Sequence, residues 1–342
     1  MFQNPPGIVV VTRPTRMQGL LSRWATRGQA AFVFKRNRVV EFSRRKPAGN
    51  DADLRMQQAM INEVEQEADG DFLELESEDQ TYQTVVDQLR ADLALGLPIQ
   101  FIDREYLPTF NFGNTSVVVV VGQDGLVANT AKYVGSIPIV AVNPDPARID
   151  GVLLPFTVTE ARSMVMRALK GAVATRSVTL AQATLQDGQK LLAFNDLFIG
   201  ARSHVSARYD LTTPIGRETH SSSGLIVSTG AGSSGWLSSL VNMAKGFSAF
   251  FNQASAPAWS LPLDWEARQL VWAVREPFLS KTSQAGLVAG CLTEGETLLI
   301  ESQMAEGGVI FSDGVEKDFL QFNSGTLATI SVADHCAELV VR

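Results

Sequence analysis

Val117-Val118-Val119-Val120-Val121-Gly122-Gln123-Asp124-Gly125 decides the fold class of this chain. Five consecutive β-branched apolar residues describe a strand covered on both faces, as in a parallel sheet with helices packed on either side. The run stops at an aspartate bounded by glycines. In open α/β sheets, ligands gather outside the carboxyl ends of the strands, and glycine lets backbone come close to them. A helix is expected next, over residues 126–134, and a helix start offers unpaired N–H groups to phosphate. The plainer alternative is a strand ending in an ordinary Asp-Gly turn.

Working outward, strands are expected at 7–12, 98–103, 116–121 and 137–142. Helices are expected at 17–27, 52–68 and 81–95, the last with Val85, Val86, Leu89 and Leu93 on one side and Gly96 as its stop. Residues 45–52 read as a loop. Strand and helix alternate to about residue 145, which implies an α/β domain over 1–155 with a parallel sheet and flanking helices. One more helix follows at 158–171. Beyond it come short apolar runs separated by turn residues, at 177–185, 191–201, 207–211, 224–229, 270–274, 297–303, 308–312 and 326–332. That spacing implies antiparallel structure, hence a β-rich domain over 156–342.

Composition agrees with a folded chain of this size: 342 residues, 45% of them hydrophobic, suffice for two modest domains. The net charge of −7 is unevenly spread. Residues 1–46 hold ten Lys/Arg and one acid, Glu41, for +9, and the remainder carries −16. A basic opening beside an acidic body fits an anionic ligand or intramolecular neutralisation. No nucleic-acid motif accompanies it, so a nucleic-acid partner is not expected. Cys291 and Cys336 lie in no CxxC pattern and cannot build a disulfide framework, which points to a reducing, cytoplasmic compartment. No apolar stretch reaches membrane-spanning length, so no membrane association is expected. The Arg-rich, acid-poor opening resembles a transit peptide in composition, but Ile8-Val9-Val10-Val11 reads as a first core strand, so processing is not expected. His204, His220 and His335 fall in no metal-ligand pattern, and no metal-binding residues are expected.

Two further segments carry chemistry. Phe194-Asn195-Asp196-Leu197 places two polar residues inside an apolar run read as one strand. Buried polar groups of that kind need partners, either at a bulge or edge or on a ligand such as a ribose diol. Gly230-Ala231-Gly232-Ser233-Ser234-Gly235 matches GxGxxG after a strand. No acid follows at about 20 residues and no Gly-Lys-Ser/Thr is present, so neither a Rossmann fingerprint nor a P-loop is implied. A small-residue turn feeding a helix remains, with Trp236 as a ring that stacks on a base or belongs to the core.

Taken in order, these three segments resemble the hallmarks of the NAD kinase family: a Gly-Gly-Asp-Gly loop, an Asn-Glu/Asp pair and a Ser-Thr-x-Thr-Gly-Ser-Thr-Ala-Tyr stretch. The mitochondrial-type branch is the nearest in pattern, through Pro138-Ile139-Val140-Ala141-Val142-Asn143-Pro144-Asp145-Pro146, Val274-Arg275-Glu276-Pro277 and Phe311-Ser312-Asp313-Gly314. The resemblance runs from about residue 7 to 333. It implies that ATP, with Mg²⁺ on its phosphates, phosphorylates the adenosine-ribose 2′-hydroxyl of NAD. Asp124 would orient and deprotonate that hydroxyl. Gly125, Asn195, Asp196, Ser234, Gly235 and Trp236 would bind NAD. Gly122 and Gln123, with Arg13 and Arg16, would meet the phosphate donor, although solvated surface arginines are an equal reading of the last two. A homo-oligomer is also implied. The chain departs from the family at Gln123, where the second glycine stands, and at Leu126, where a threonine stands. Those departures leave two alternatives open: a weakened nucleotide-binding homologue, and a kinase of another hydroxylated acceptor such as a sugar or lipid head group.

Overall fold

The valine strand lies inside the larger of two sheets. The structure, a computed structural model, describes residues 7–45, 51–251 and 263–342. Its first half contains β1 (Gly7–Thr12), α1 (Arg16–Trp24), α2 (Arg27–Arg45), α3 (Asp51–Asp92), β2 (Ile99–Asp103), β3 (Thr115–Val121), α4 (Asp124–Ala131), β4 (Ile139–Asn143), β5 (Phe156–Thr157) and α5 (Val158–Leu169). All pairings among β1 to β5 are parallel. The five valines of β3 are fully buried, Val118 and Val120 against α4, and Val117, Val119 and Val121 against α3 and α5. Alternate residues point to opposite faces of a strand, so burial of both sets requires cover on both faces. Each such valine contributes roughly 1.5–3 kcal/mol of burial free energy.

The second half contains β6 (Thr175–Leu185), β7 (Lys190–Ala193), β8 (Asp196–Ala201), β9 (Ala207–Thr213), β10 (Gly216–Ser222), β11 (Leu225–Ser228), α6 (Trp236–Phe250), β12 (Gln269–Val274), β13 (Ala289–Thr293), β14 (Leu298–Ser302), β15 (Gly308–Ser312), β16 (Val315–Gln321) and β17 (Leu327–Val340). A six-stranded antiparallel sheet runs β13-β12-β11-β8-β15-β16. The other strands form an antiparallel extension of the first sheet. It is joined to the parallel part by β17, where Leu339 pairs with Ile139 of β4. Between the two sheets lies a core that includes Tyr209, Leu225, Trp272, Ile300 and Phe322. The α/β half and the β-rich half therefore stand as the sequence implied. No described helix is long and apolar enough to cross a membrane.

Three local expectations are corrected. The helices at 52–68 and 81–95 are one helix, α3, about 63 Å long at 1.5 Å per residue. Residues between them contain Gly70, which favours a break, but Phe72 and Leu75 pack on Met17 and Ala30 and hold the helix through it. The helix at 17–27 ends at Trp24, where Ala25 turns to φ 55, and a separate helix, α2, starts at Arg27. The single strand at 191–201 is broken at Phe194-Asn195: β7 belongs to the larger sheet and β8 to the smaller. The centre of the loop at 45–52 lies outside the described residues.

Candidate functional site

The 122–125 loop leaves β3 and opens directly into α4. Gln123 is the helix cap, extended at φ −120 and ψ 165, exposed and without a side-chain capping bond. Any residue adopts that conformation, so the loop keeps its shape without a second glycine. Gly122 is tight for a different reason. A Cβ there would come within 2.8 Å of the Leu126 side chain and 3.7 Å of Arg13. Leu126 itself is buried in the core and has become a packing residue. Asp124 is half-buried, and its Oδ1 accepts the Leu153 N–H at 2.7 Å. Around it, the first N–H groups of α4 lack helical acceptors, as at any helix start. A carboxyl group beside such donors, at the end of a parallel strand, suits a site where charge is handled.

Arg13 and Arg16 converge on one acid. Arg13 donates to Glu78 Oε1 at 3.2 Å, and Arg16 donates through Nε to Oε2 at 2.8 Å. Burial opposes ionisation of Glu78, but the hydrogen bonds from Arg16 and Arg13 outweigh it and hold its pKa below the usual carboxylate range. Beneath them Tyr82 takes the Arg13 N–H at 3.0 Å and donates to the Val121 carbonyl at 3.0 Å, so it clasps the ends of β1 and β3. Burial pushes this phenol up to about 12.

A separate cleft of about 270 Å³ lies at the break between β7 and β8. Asn195, Asp196, Ser234, Gly235 and Trp236 line it, together with Ala231, Gly232, Phe311, Asp313 and Gly314. Its volume is just under the ~300 Å³ at the small end of ligand pockets, which suits a nucleoside-sized portion of a ligand. The glycines of the 230–235 turn answer to backbone crowding. A Cβ on Gly232 would lie 2.3 Å from the Asn195 carbonyl, and one on Gly230 would lie 2.0 Å from that of Asp264. Thr229 stitches the turn to the strand break: its N–H donates to the Asn195 carbonyl at 2.9 Å and its hydroxyl to the Phe194 carbonyl at 2.5 Å. Trp236 is half-buried and stacked on Phe198 at 5.7 Å and 9°, with Arg275 5.2 Å from its ring centre. It is a core ring and a cleft wall together.

Asp196 is a strongly perturbed group lining the cleft. Its Oδ1 is buried with no hydrogen-bond partner. Burial raises its pKa to about 7, a hydrogen bond with Ser228 opposes that rise, and the charge of Asp313 adds to it. An unpartnered buried carboxylate oxygen is costly unless a ligand donates to it. Perturbed groups of this kind mark functional sites.

The expected site residues thus fall into two groups. Gly122, Gln123, Asp124, Gly125, Arg13 and Arg16 sit around the ends of β1 and β3, and none of them lines the cleft. The two groups are linked by α4. Asp124 opens that helix, and Lys132, about 12 Å further along the axis, donates to Ser312 Oγ at 2.9 Å beside Asp313. Sequence reasoning used Phe311-Ser312-Asp313-Gly314 only as part of the family resemblance and gave no role to Lys132 or Thr229. Thr229 directly precedes the Gly230–Gly235 turn that carries the resemblance, whereas nothing local marks Lys132. Among the described residues, no group of three or more His, Cys, Asp or Glu could hold a metal ion. His220 is buried and stacked on Tyr209.

No protein-family model and no curated protein matches the sequence. Solved structures that share its fold include two kinases. Yeast NADH kinase complexed with NADH has a TM-score of 0.54 at 12% identity, over 100% of this chain and 85% of that one. An NAD kinase from Archaeoglobus fulgidus in complex with ATP has a TM-score of 0.51 at 15% identity, over 76% of this chain and 88% of that one. At such low identity it is the fold that is shared: the α/β half followed by the β-rich half is the architecture of NAD and NADH kinases.

Proposed function

We propose that this chain is a phosphotransferase that moves the γ-phosphoryl group of ATP to the adenosine-ribose 2′-hydroxyl of NAD or NADH, yielding NADP or NADPH. The observation that carries the reading is the cleft at Asn195-Asp196, with its unpartnered buried carboxylate oxygen awaiting a hydroxyl or amino donor. The shared fold with NAD and NADH kinases supports it. Asn195, Asp196, Ser234, Gly235 and Trp236 hold the adenosine part. Asp124 takes the proton of the 2′-hydroxyl as that oxygen bonds to the γ-phosphorus and the bond to the ADP oxygen breaks. Asp124 Oδ1 is already held by Leu153, which orients the carboxylate for this task. The helix-start N–H groups at Asp124 and Gly125 face the donor phosphates, with Arg13 behind Gly122.

Mg²⁺ fits as a passenger on ATP: Asp124 is the carboxylate at hand for it, and the metal would neutralise phosphate charge when bound. Residues 1–155 supply the donor side and 156–342 the acceptor side, in a homo-oligomer of a reducing, cytoplasmic compartment. A second reading, a weakened nucleotide-binding homologue, is favoured by the burial of Leu126 in place of a hydroxyl.

The test is formation of NADP or NADPH by the purified chain with ATP, Mg²⁺ and either NAD or NADH, with Asp124→Asn as control. Turnover that disappears in the variant supports the kinase. Binding of NAD or NADH with no turnover supports the weakened homologue, and neither binding nor turnover removes both.

A further inference from the structure

We propose that Asp313 is a positioning residue for the acceptor cleft: its carboxylate fixes the backbone of the β7–β8 break, and Lys132 locks it to the end of α4. The proposal rests on the nucleotide reading of that cleft. At the break the chain leaves one sheet for the other, and three successive N–H groups turn to one side chain. Asp313 supplies acceptors for all three. Its Oδ2 accepts from Phe194 at 3.1 Å, and its Oδ1 accepts from Asn195 at 2.6 Å and from Asp196 at 3.3 Å. In return the Asp313 N–H donates to the Asp196 carbonyl at 3.0 Å. Successive backbone N–H groups converging on an anion form an anion-binding nest. Here the anion is a side chain of the protein itself, 3% exposed. Lys132 Nζ, 2% exposed, lies 3.8 Å from Oδ2 and bonds the adjacent Ser312.

Turn chemistry does not explain this arrangement. Asp313 and Gly314 have φ of 53 and 69, the two left-handed positions of a tight hairpin between β15 and β16. Asn-Gly fills such a turn as well as Asp-Gly does. A turn residue would also leave its carboxylate in solvent. What only aspartate supplies is two acceptor oxygens and a negative charge opposite Lys132. The consequence is that the directions of Asn195 and Asp196 in the cleft depend on Asp313, while Lys132 ties the same carboxylate to α4, the helix that begins at Asp124.

Asp313→Asn separates the two roles, because the turn is kept and the charge and one acceptor oxygen are lost. In the full-length protein, amide hydrogen exchange over residues 194–196 should accelerate roughly tenfold or more, the scale of one lost charge-assisted bond, while exchange in β3 stays unchanged. KM for NAD or NADH should rise roughly tenfold, with KM for ATP within about twofold. If the unpaired Lys132 unfolds the single variant, Lys132→Met/Asp313→Asn restores neutrality and carries the same two readouts. Unchanged exchange at 194–196 overturns the proposal, as does faster exchange with an unchanged KM for the acceptor. Absence of any NAD or NADH turnover in the unsubstituted protein removes the kinase reading instead, and the exchange measurement still decides whether Asp313 holds the break.

Discussion

Asp124 and Asp196 are held by opposite means. Asp124 opens a helix at the end of a parallel strand, half-buried, with one backbone N–H on one oxygen. Its backbone is placed by the adjoining β3 and α4, and Leu153 supplies the hydrogen bond to its side chain. Asp196 begins a strand at the junction of two sheets, and the segments around it come from residues 228–236 and 311–314. One oxygen of its carboxylate has no partner and its pKa is raised to about 7. The difference teaches that a local device leaves a carboxyl group half-exposed, whereas a device assembled from distant segments can bury one and leave it waiting for a ligand. In the proposed reaction the first suits proton transfer and the second suits binding.

That contrast can be broken at either end. The largest effect is expected from Asp124→Asn: turnover should fall by about 10²–10⁴-fold, the range for a positioned general base, while affinity for NAD or NADH stays within about twofold. Undiminished turnover in steady-state assays would remove Asp124 from the reaction. Asp196→Ala should instead weaken NAD or NADH binding by roughly 10–100-fold, corresponding to about 1–3 kcal/mol for a lost buried partner. Titration calorimetry with unchanged affinity would dissociate Asp196 from the ligand.

Asp196 also makes a prediction about pH. Its folded pKa, about 7, stands above the ordinary 3.8, so between these values the folded chain holds a proton that the unfolded chain releases. The stability this supplies is whole below the lower value and is lost as pH rises through the upper one. Melting temperatures of the wild type should therefore fall relative to Asp196→Asn between pH 5 and pH 8, by about 2 °C or more. A constant difference across that range would mean that the carboxyl is not perturbed. The smallest effect belongs to Gln123→Gly. Since Gln123 is exposed and extended, activity and stability should change by no more than about twofold to threefold, the scale of surface substitutions. A tenfold gain in turnover would show that the side chain obstructs the donor.

Much of this was legible in the chain. The valines of β3, the strand and helix alternation, and the 122–125 loop follow from patterns over ten residues or fewer, where periodicity and glycine chemistry dominate. Residues 69–80 were not legible, because Gly70 favours a break and only the packing of Phe72 and Leu75 on Met17 and Ala30 overrides it. Nor was the break at Phe194-Asn195. An apolar run of eleven residues reads as one strand, and nothing local marks where it changes sheets.

By itself, then, the sequence determined the parallel sheet, the carboxylate at its carboxyl edge and the antiparallel second half, because buried strands and turns impose their patterns on neighbouring residues. Tertiary structure alone decided that Asp313 turns inward to take three backbone N–H groups, that Gly232 must be glycine because the Asn195 carbonyl crosses it, and that Asp196 is left with a buried, unpartnered oxygen. The reason is physical. Desolvation and backbone crowding depend on what arrives from a hundred residues away, and no local pattern records that arrival.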